Sequence, residues 1–338
     1  MAPSHQAPHF PSGKPRVVVT RHLMPSVEAR MSELFDTVLN SDDTPMDEDA
    51  LVAAMRDCDV LVPTVTDRIT GAMIEAAGDR LGLIASFGAG TEHIDLKAAA
   101  AKKIIVTNTP GVFTDDTADL AMALIIGVPR RIREGTQLVR RGEWTGWAPS
   151  GLLGRKLGDK VLGIVGMGRI GQAVAHRARA FGLKVAYHNR KRLPEAVESM
   201  LGVRFVEDID ALVAEADILT LHCPLTPDTR GLMDARRIGL MKPGASIINT
   251  ARGELIDQAA LIEALHYGTL AGAGLDVYPD EPNVAKGLLD HPNVMTLPHI
   301  GSATAEGREA SGEKVIANIR FWADGHRPPD QVLTALIG

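Results

Sequence analysis

Residues 161–171 read VLGIVGMGRIG, and most of what the chain says about its fold is contained there. A short apolar run (Val161, Leu162, Ile164, Val165) stops at Gly166, and Gly168 and Gly171 follow in the spacing G-x-G-x-x-G. Helical periodicity continues over 173–181, and a further apolar run at 183–188 predicts the next strand. The order is therefore strand, tight turn, helix, strand. The first glycine permits the turn, the second lets backbone approach a pyrophosphate, and the third lets the helix pack against the strand. Unpaired N–H groups and the positive dipole end at the helix start favour phosphate there. Gly166, Gly168, Arg169, Ile170 and Gly171 are the candidate dinucleotide contacts of this turn.

The rest of the chain fits two domains rather than one, since it has 338 residues, 45% of them hydrophobic. A formal net charge of -6 and only 4% aromatic residues argue against a nucleic-acid surface, and no basic block suggests a membrane patch. Two cysteines, Cys58 and Cys223, exclude a disulfide framework and a cysteine-rich metal site, so no metal is expected and a reducing cytoplasm is. Residues 1–15 lack the apolar run of a secretory signal and read as a disordered tail.

From Arg16 strands and helices alternate. Strands are expected at 16–20, 60–63, 81–86 and 104–107, with helices at 27–34, 50–55, 69–77 and 96–102 between them. Further strands are expected at 218–222, 245–249, 272–276 and 294–297. Such alternation predicts α/β architecture with parallel sheets covered on both faces. Two doubly wound domains are expected with a cleft between them: a flavodoxin-like substrate domain (16–110 plus 299–338) and a Rossmann dinucleotide domain (111–298). A long helix over 115–141 must kink or break at Pro129. The final helix, from about 303, is expected to return to the first domain.

About twenty residues beyond the fingerprint, NAD-specific sites place an acid on the ribose 2′-hydroxyl. Here the second strand runs into Asn189-Arg190-Lys191-Arg192, which has no carboxylate. Asn189, Arg190 and Arg192 instead suit a 2′-phosphate, so NADP(H) is favoured with NAD(H) as the alternative. Ligands of open α/β sheets gather at the carboxyl ends of strands. The segments that end strands here are LHCPL (221–225), NTARG (249–253), LDVYPDEP (275–282) and LPHIG (297–301).

Those segments, with GIVGMGRIG, HCPLTPDT (222–229), INTARGELID (248–257), GAGLDVYPDEP (272–282) and NVMTLPHIGSAT (293–304), resemble the D-isomer-specific 2-hydroxyacid dehydrogenase family. They stand in the family's order, and the likeness covers nearly everything from Arg16 onward. The Asn-Arg tip and the Trp144-x-x-Trp147 loop look most like glyoxylate/hydroxypyruvate reductases. The resemblance implies a catalytic set of Arg252, Glu281 and His299 that reduces small 2-keto acids to D-2-hydroxy acids. An imidazolium at His299 supplies the proton, Glu281 favours and orients that charged ring, and Arg252 offers a planar fork to the substrate carboxylate and keto oxygen. It further implies cofactor contacts at His222, Cys223, Pro224, Thr229, Thr250, Ala251, Asp276 (to the carboxamide) and Thr117. A backbone nest at Ala89 and Gly90 is implied for the substrate carboxylate. A homodimer is implied as well, with Trp147 reaching the neighbouring subunit's site. Other members of the family, acting on phosphoglycerate or larger 2-keto acids, and a nucleotide-sensing corepressor of the same fold remain alternatives.

Overall fold

The computed structural model describes residue 10 and residues 13–333. Two compact units are present: one runs to Phe113 and resumes at Ala303, and the other is Thr114–Ser302. The divisions fall at 113/114 and 302/303, not at 110/111 and 298/299. The shift is short, but it places His299 in the same unit as the glycine fingerprint.

The first unit opens with β1 (Arg16–Val19), α1 (Pro25–Leu34), β2 (Asp36–Val38), α2 (Glu48–Asp57) and β3 (Val60–Val62). It continues with α3 (Gly71–Ala76), β4 (Leu83–Ala85), α4 (Leu96–Ala101) and β5 (Ile105–Thr107). All strand pairs are parallel in the order β2-β1-β3-β4-β5. Strands such as Val60-Leu61-Val62 are buried on both faces, which is why they read as continuous apolar runs.

The second unit starts with α5 (Thr114–Gly127) and α6 (Ile132–Arg140). The single helix expected over 115–141 is thus two, with Pro129 between them and Arg131 in the left-handed region at φ 52. There follow β6 (Val161–Val165), α7 (Arg169–Ala180), β7 (Lys184–His188), α8 (Glu195–Leu201), β8 (Val203–Phe205) and α9 (Ile209–Glu215). Then come β9 (Ile218–Leu221), α10 (Ala235–Leu240), β10 (Ala245–Asn249), α11 (Gln258–His266), β11 (Leu270–Leu275), α12 (Lys286–Leu289) and β12 (Val294–Thr296). These seven strands are parallel in the order β12-β11-β10-β9-β6-β7-β8. The chain reverses direction across this sheet between β6 and β9, the switch point at which ligands bind in doubly wound folds.

The last helix, α13 (Ala305–Ala323), completes the first unit: Val315, Ile316, Ile319 and Trp322 join a core with Val17, Val19, Val27, Met31 and Leu83. Its start is set by Thr304, whose hydroxyl accepts from the Gly307 amide. The expected tail lies largely outside the described residues. Phe10, which is described, is not loose: its ring centroid stands 5.8 Å from that of Trp322. The edge strands β2 and β8 are absent from the sequence reading, because three residues of mixed polarity give no periodic signal. No helix among the described residues is long and apolar enough to cross a membrane.

Candidate active site

The nucleotide end of the second unit rests on backbone proximity. Gly166 has φ +96, and a Cβ there would lie 2.5 Å from the Cys223 nitrogen. A Cβ on Gly171 would lie 2.2 Å from the Gly166 carbonyl oxygen. Glycine is required at both by contact, and at Gly166 by conformation as well. Gly168 caps α7 and faces open space, leaving the N-terminus of that helix accessible to an anion. Arg169 is exposed and Ile170 half-buried at the first turn. After β10, the hydroxyl of Thr250 is buried with no hydrogen-bond partner among the described residues, a donor awaiting an acceptor from a ligand. An open helix start and an orphaned hydroxyl, both at carboxyl ends of strands of one parallel sheet, fit a dinucleotide.

Other residues expected here have partners within the protein. Thr229 donates to the Pro224 carbonyl at 2.7 Å and accepts from the Thr226 amide at 2.8 Å, so it shapes its own loop. Burial pushes His222 down to about 4, leaving a neutral ring whose Nε2 lies 2.9 Å from the Thr220 hydroxyl. Burial raises the Cys223 thiol to about 11, so it stays protonated. At the tip of β7, Asn189 donates to the Lys191 carbonyl at 2.9 Å. Arg190 is exposed, whereas Arg192 is held by both oxygens of Glu198 at 2.9 and 2.7 Å. Arg192, expected at the 2′-phosphate, thus has a carboxylate partner within the protein.

The chemical end is assembled by the turns after β10, β11 and β12. Asn249 at the end of β10 donates through Nδ2 to the Arg252 carbonyl at 2.8 Å and accepts the Ala251 amide at 3.0 Å, fixing the turn that carries Arg252. Gly253 follows because a Cβ there would lie 2.0 Å from the Tyr278 carbonyl carbon. The Arg252 guanidinium donates to the Ala251 carbonyl at 2.6 Å. Beyond β11, the Tyr278 amide donates to Glu281 Oε1 at 3.0 Å, and the other carboxylate oxygen lies 2.8 Å from Nδ1 of His299. Burial pushes the Glu281 carboxyl up, but the His299 and Tyr278 hydrogen bonds, with the charges of His299 and Arg252, outweigh it and hold the group below the usual range. The structure thus brings the three residues together within one unit.

His299 itself has φ +54, a strained conformation for a residue with a Cβ. Asp276, fully buried, holds it there. The Asp276 carbonyl accepts from the His299 amide at 2.9 Å, and its side chain accepts from Ile300 at 2.8 Å and Gly301 at 2.7 Å. Burial raises the Asp276 carboxyl, although those two amides pull the other way. Thr117 donates to the Gly301 carbonyl at 2.9 Å. Asp276 and Thr117, expected at the cofactor, hold the loop that presents His299. Tyr278, absent from the sequence reading, places its hydroxyl 3.1 and 3.0 Å from the Leu275 and Leu297 carbonyls and ties the two loops together. Tyr278 gave no signal in the sequence, whereas Asn249 was marked by its place at the end of an expected strand.

In the first unit, Ala89 and Gly90 lie in the loop after β4, where Asn108 donates to the Ala89 carbonyl at 2.7 Å. Trp147 is 83% exposed. Among the described residues no cluster of His, Cys, Asp and Glu could hold a metal ion.

Comparison with known proteins agrees with this geometry. Residues 122–301 match the model of the D-isomer specific 2-hydroxyacid dehydrogenase NAD binding domain. A glyoxylate reductase of Thermococcus litoralis is 44% identical over 94% of this chain and 97% of its own. A glyoxylate reductase structure from Paecilomyes thermophila superposes with TM-score 0.85 at 33% identity, covering 96% of this chain and 99% of that one. An NADPH-dependent glyoxylate/hydroxypyruvate reductase of Sinorhizobium meliloti, in complex with NADP and malonate, gives 0.84 at 34%, covering 94% and 97%. With identity at this level over nearly its whole length, the chain belongs to the D-isomer-specific 2-hydroxyacid dehydrogenase family and is a nicotinamide-dependent oxidoreductase.

Proposed function

We propose that this enzyme reduces glyoxylate and hydroxypyruvate to the corresponding 2-hydroxy acids, with D stereochemistry where a stereocentre forms, and favours NADPH. The observation that carries the reading is the 2.8 Å pair of Glu281 and His299, with the charge of Arg252 acting on it, in the unit that also holds the fingerprint. A nicotinamide dinucleotide, when bound, supplies the hydride for the carbonyl carbon. The chain supplies the rest. With Nδ1 committed to Glu281, His299 presents Nε2 to the keto oxygen and delivers the proton as the alkoxide develops. Glu281 favours the imidazolium beforehand and fixes the plane of the ring. Arg252 meets the substrate carboxylate and polarises the carbonyl. The Ala89-Gly90 backbone, in the loop after β4 of the first unit, offers N–H groups suited to a carboxylate.

The preference for NADPH rests on Asn189 and exposed Arg190 at the tip of β7, together with the lack of any Asp or Glu in 189–194. A second copy of the chain is proposed to cover the exposed apolar side chains Val139, Trp144, Trp147 and Leu153, and to receive Trp147. Both cysteines are unbridged, which fits a cytoplasmic location.

The test is steady-state oxidation of NADPH and of NADH, side by side, over glyoxylate, hydroxypyruvate, pyruvate and a bulky aromatic 2-keto acid. Highest kcat/KM for the two small polar acids with NADPH is expected. Preference for the bulky acid or for NADH overturns the corresponding part of the reading, and absence of turnover with every acid overturns the reaction itself.

A further inference from the structure

The cation expected to meet a 2′-phosphate, Arg192, sits in a built cluster of its own. Glu198 on α8 is 6% exposed and Tyr187 fully buried. Oε1 of Glu198 accepts from the Tyr187 hydroxyl at 2.7 Å and from Arg192 Nε at 2.9 Å, and Oε2 accepts from Arg192 Nη2 at 2.7 Å. The Tyr187 oxygen accepts in turn from the Leu193 amide at 2.8 Å, so the loop after β7 is tied down at its far end. The Arg192 guanidinium lies 5.7 Å from the centre of the Phe205 ring, and Phe205 packs at 5.3 Å against Tyr187. This is a bidentate ion pair with a nearly buried carboxylate, flanked by two aromatic rings. It differs from a flexible surface contact that a ligand could displace at little cost. Arg190 and Lys191, by contrast, are exposed and have no side-chain partner among the described residues.

We infer that Glu198 is a specificity-determining residue that masks Arg192, leaving Arg190 as the charged contact for a 2′-phosphate and moderating selection for NADP over NAD. The inference rests on the reading that this tip faces the 2′ position of the adenine ribose. Its physical content is charge compensation. Arg192 and Glu198 together present no net charge, so the field at the tip comes from Arg190 and Lys191. Removing the arginine leaves a carboxylate that repels a phosphate, and removing the carboxylate adds an uncompensated cation. The two single substitutions therefore shift affinity in opposite directions, and the pair cancels.

The experiment measures binding of adenosine 2′,5′-bisphosphate and of 5′-AMP to the full chain by calorimetry at low salt, where neither substrate nor turnover enters. Glu198→Gln is expected to tighten 2′,5′-bisphosphate binding about five-fold and leave 5′-AMP unchanged, as an added unit charge near a phosphate in partly screened water requires. Arg192→Gln weakens the bisphosphate, and Arg192→Gln/Glu198→Gln returns it to the wild-type value. If the double variant stays as weak as Arg192→Gln, Arg192 is itself a phosphate ligand and the inference is overturned. Unchanged or weakened bisphosphate binding in Glu198→Gln overturns it equally. The comparison of Arg192→Gln with the double variant stands even if Glu198→Gln alone fails to fold. Wild-type chain that binds both nucleotides equally would instead remove the cofactor reading beneath the inference, which separates the two failures.

Discussion

At the scale of single residues, the site is a set of side chains whose orientation is fixed by other side chains. His299 is held in a left-handed backbone conformation by the Asp276 carbonyl, with its ring set by Glu281, and Glu281 is itself tied to the Tyr278 amide. Replacing Glu281 by Gln keeps the size and removes the charge that favours the imidazolium. Reductive kcat is expected to fall about 10²-fold. Steady-state kcat for both forms checks this, and an unchanged kcat contradicts the role given to Glu281. The sign for stability follows from the same group. Folding lowers the Glu281 carboxyl, so its contribution is present above the ordinary carboxylate range and disappears as pH falls through the depressed value. Arg252, Glu281 and His299, proposed here as the catalytic set, stand out in the sequence only together, since each alone reads as a loop residue. Their supports do not stand out. Nothing in the spelling LDVYPDEP tells that Tyr278 bridges two carbonyls or that Asp276 caps a loop some twenty residues on, because those partners meet only once the strands are parallel and in register.

At the scale of elements, the strand-turn-helix of the fingerprint was readable because its glycines do one job each. Gly166 and Gly171 meet backbone at distances no Cβ tolerates, and Gly168 opens the helix start. Gly171→Ala is expected to cost about 1–3 kcal/mol of stability, through the backbone shift needed to seat one methyl group, and to weaken dinucleotide binding. Denaturant unfolding and nucleotide titration check both effects, and wild-type stability with wild-type binding contradicts the close packing described. Long apolar strands such as Ala245–Asn249 were found at their observed limits, since burial on both faces leaves a continuous apolar run. Helix α6 was not separable from α5 by periodicity, as its break depends on Pro129 and on the left-handed Arg131, and only the proline is visible in the sequence. In the Arg192 loop the sequence shows a run of basic residues, but not that Glu198, six residues on and nearly buried, pairs with one of them.

At the scale of the whole molecule, the order of segments along the chain explains why the site can be read at all. In the seven-stranded sheet every strand is parallel, so the turns after β6, β7, β9, β10, β11 and β12 emerge at one edge. The fingerprint, Arg252, Glu281 and His299 are therefore neighbours by topology before any side chain is placed. The first unit is built from both ends of the chain, with α13 closing a core begun by β1 and α1, an arrangement suggested by the long amphipathic tail. The similarity to the Thermococcus litoralis enzyme spans 94% of the chain, so it covers both units and both chain segments of the first. The central claim is that His299 delivers the proton and Arg252 engages the substrate while neither is needed to bind the dinucleotide. It is tested most directly by measuring glyoxylate-dependent NADPH oxidation and NADPH binding on His299→Ala and Arg252→Ala in parallel. The account predicts turnover reduced by about 10²–10⁴-fold in each with NADPH binding retained; near-normal turnover in either variant would contradict it.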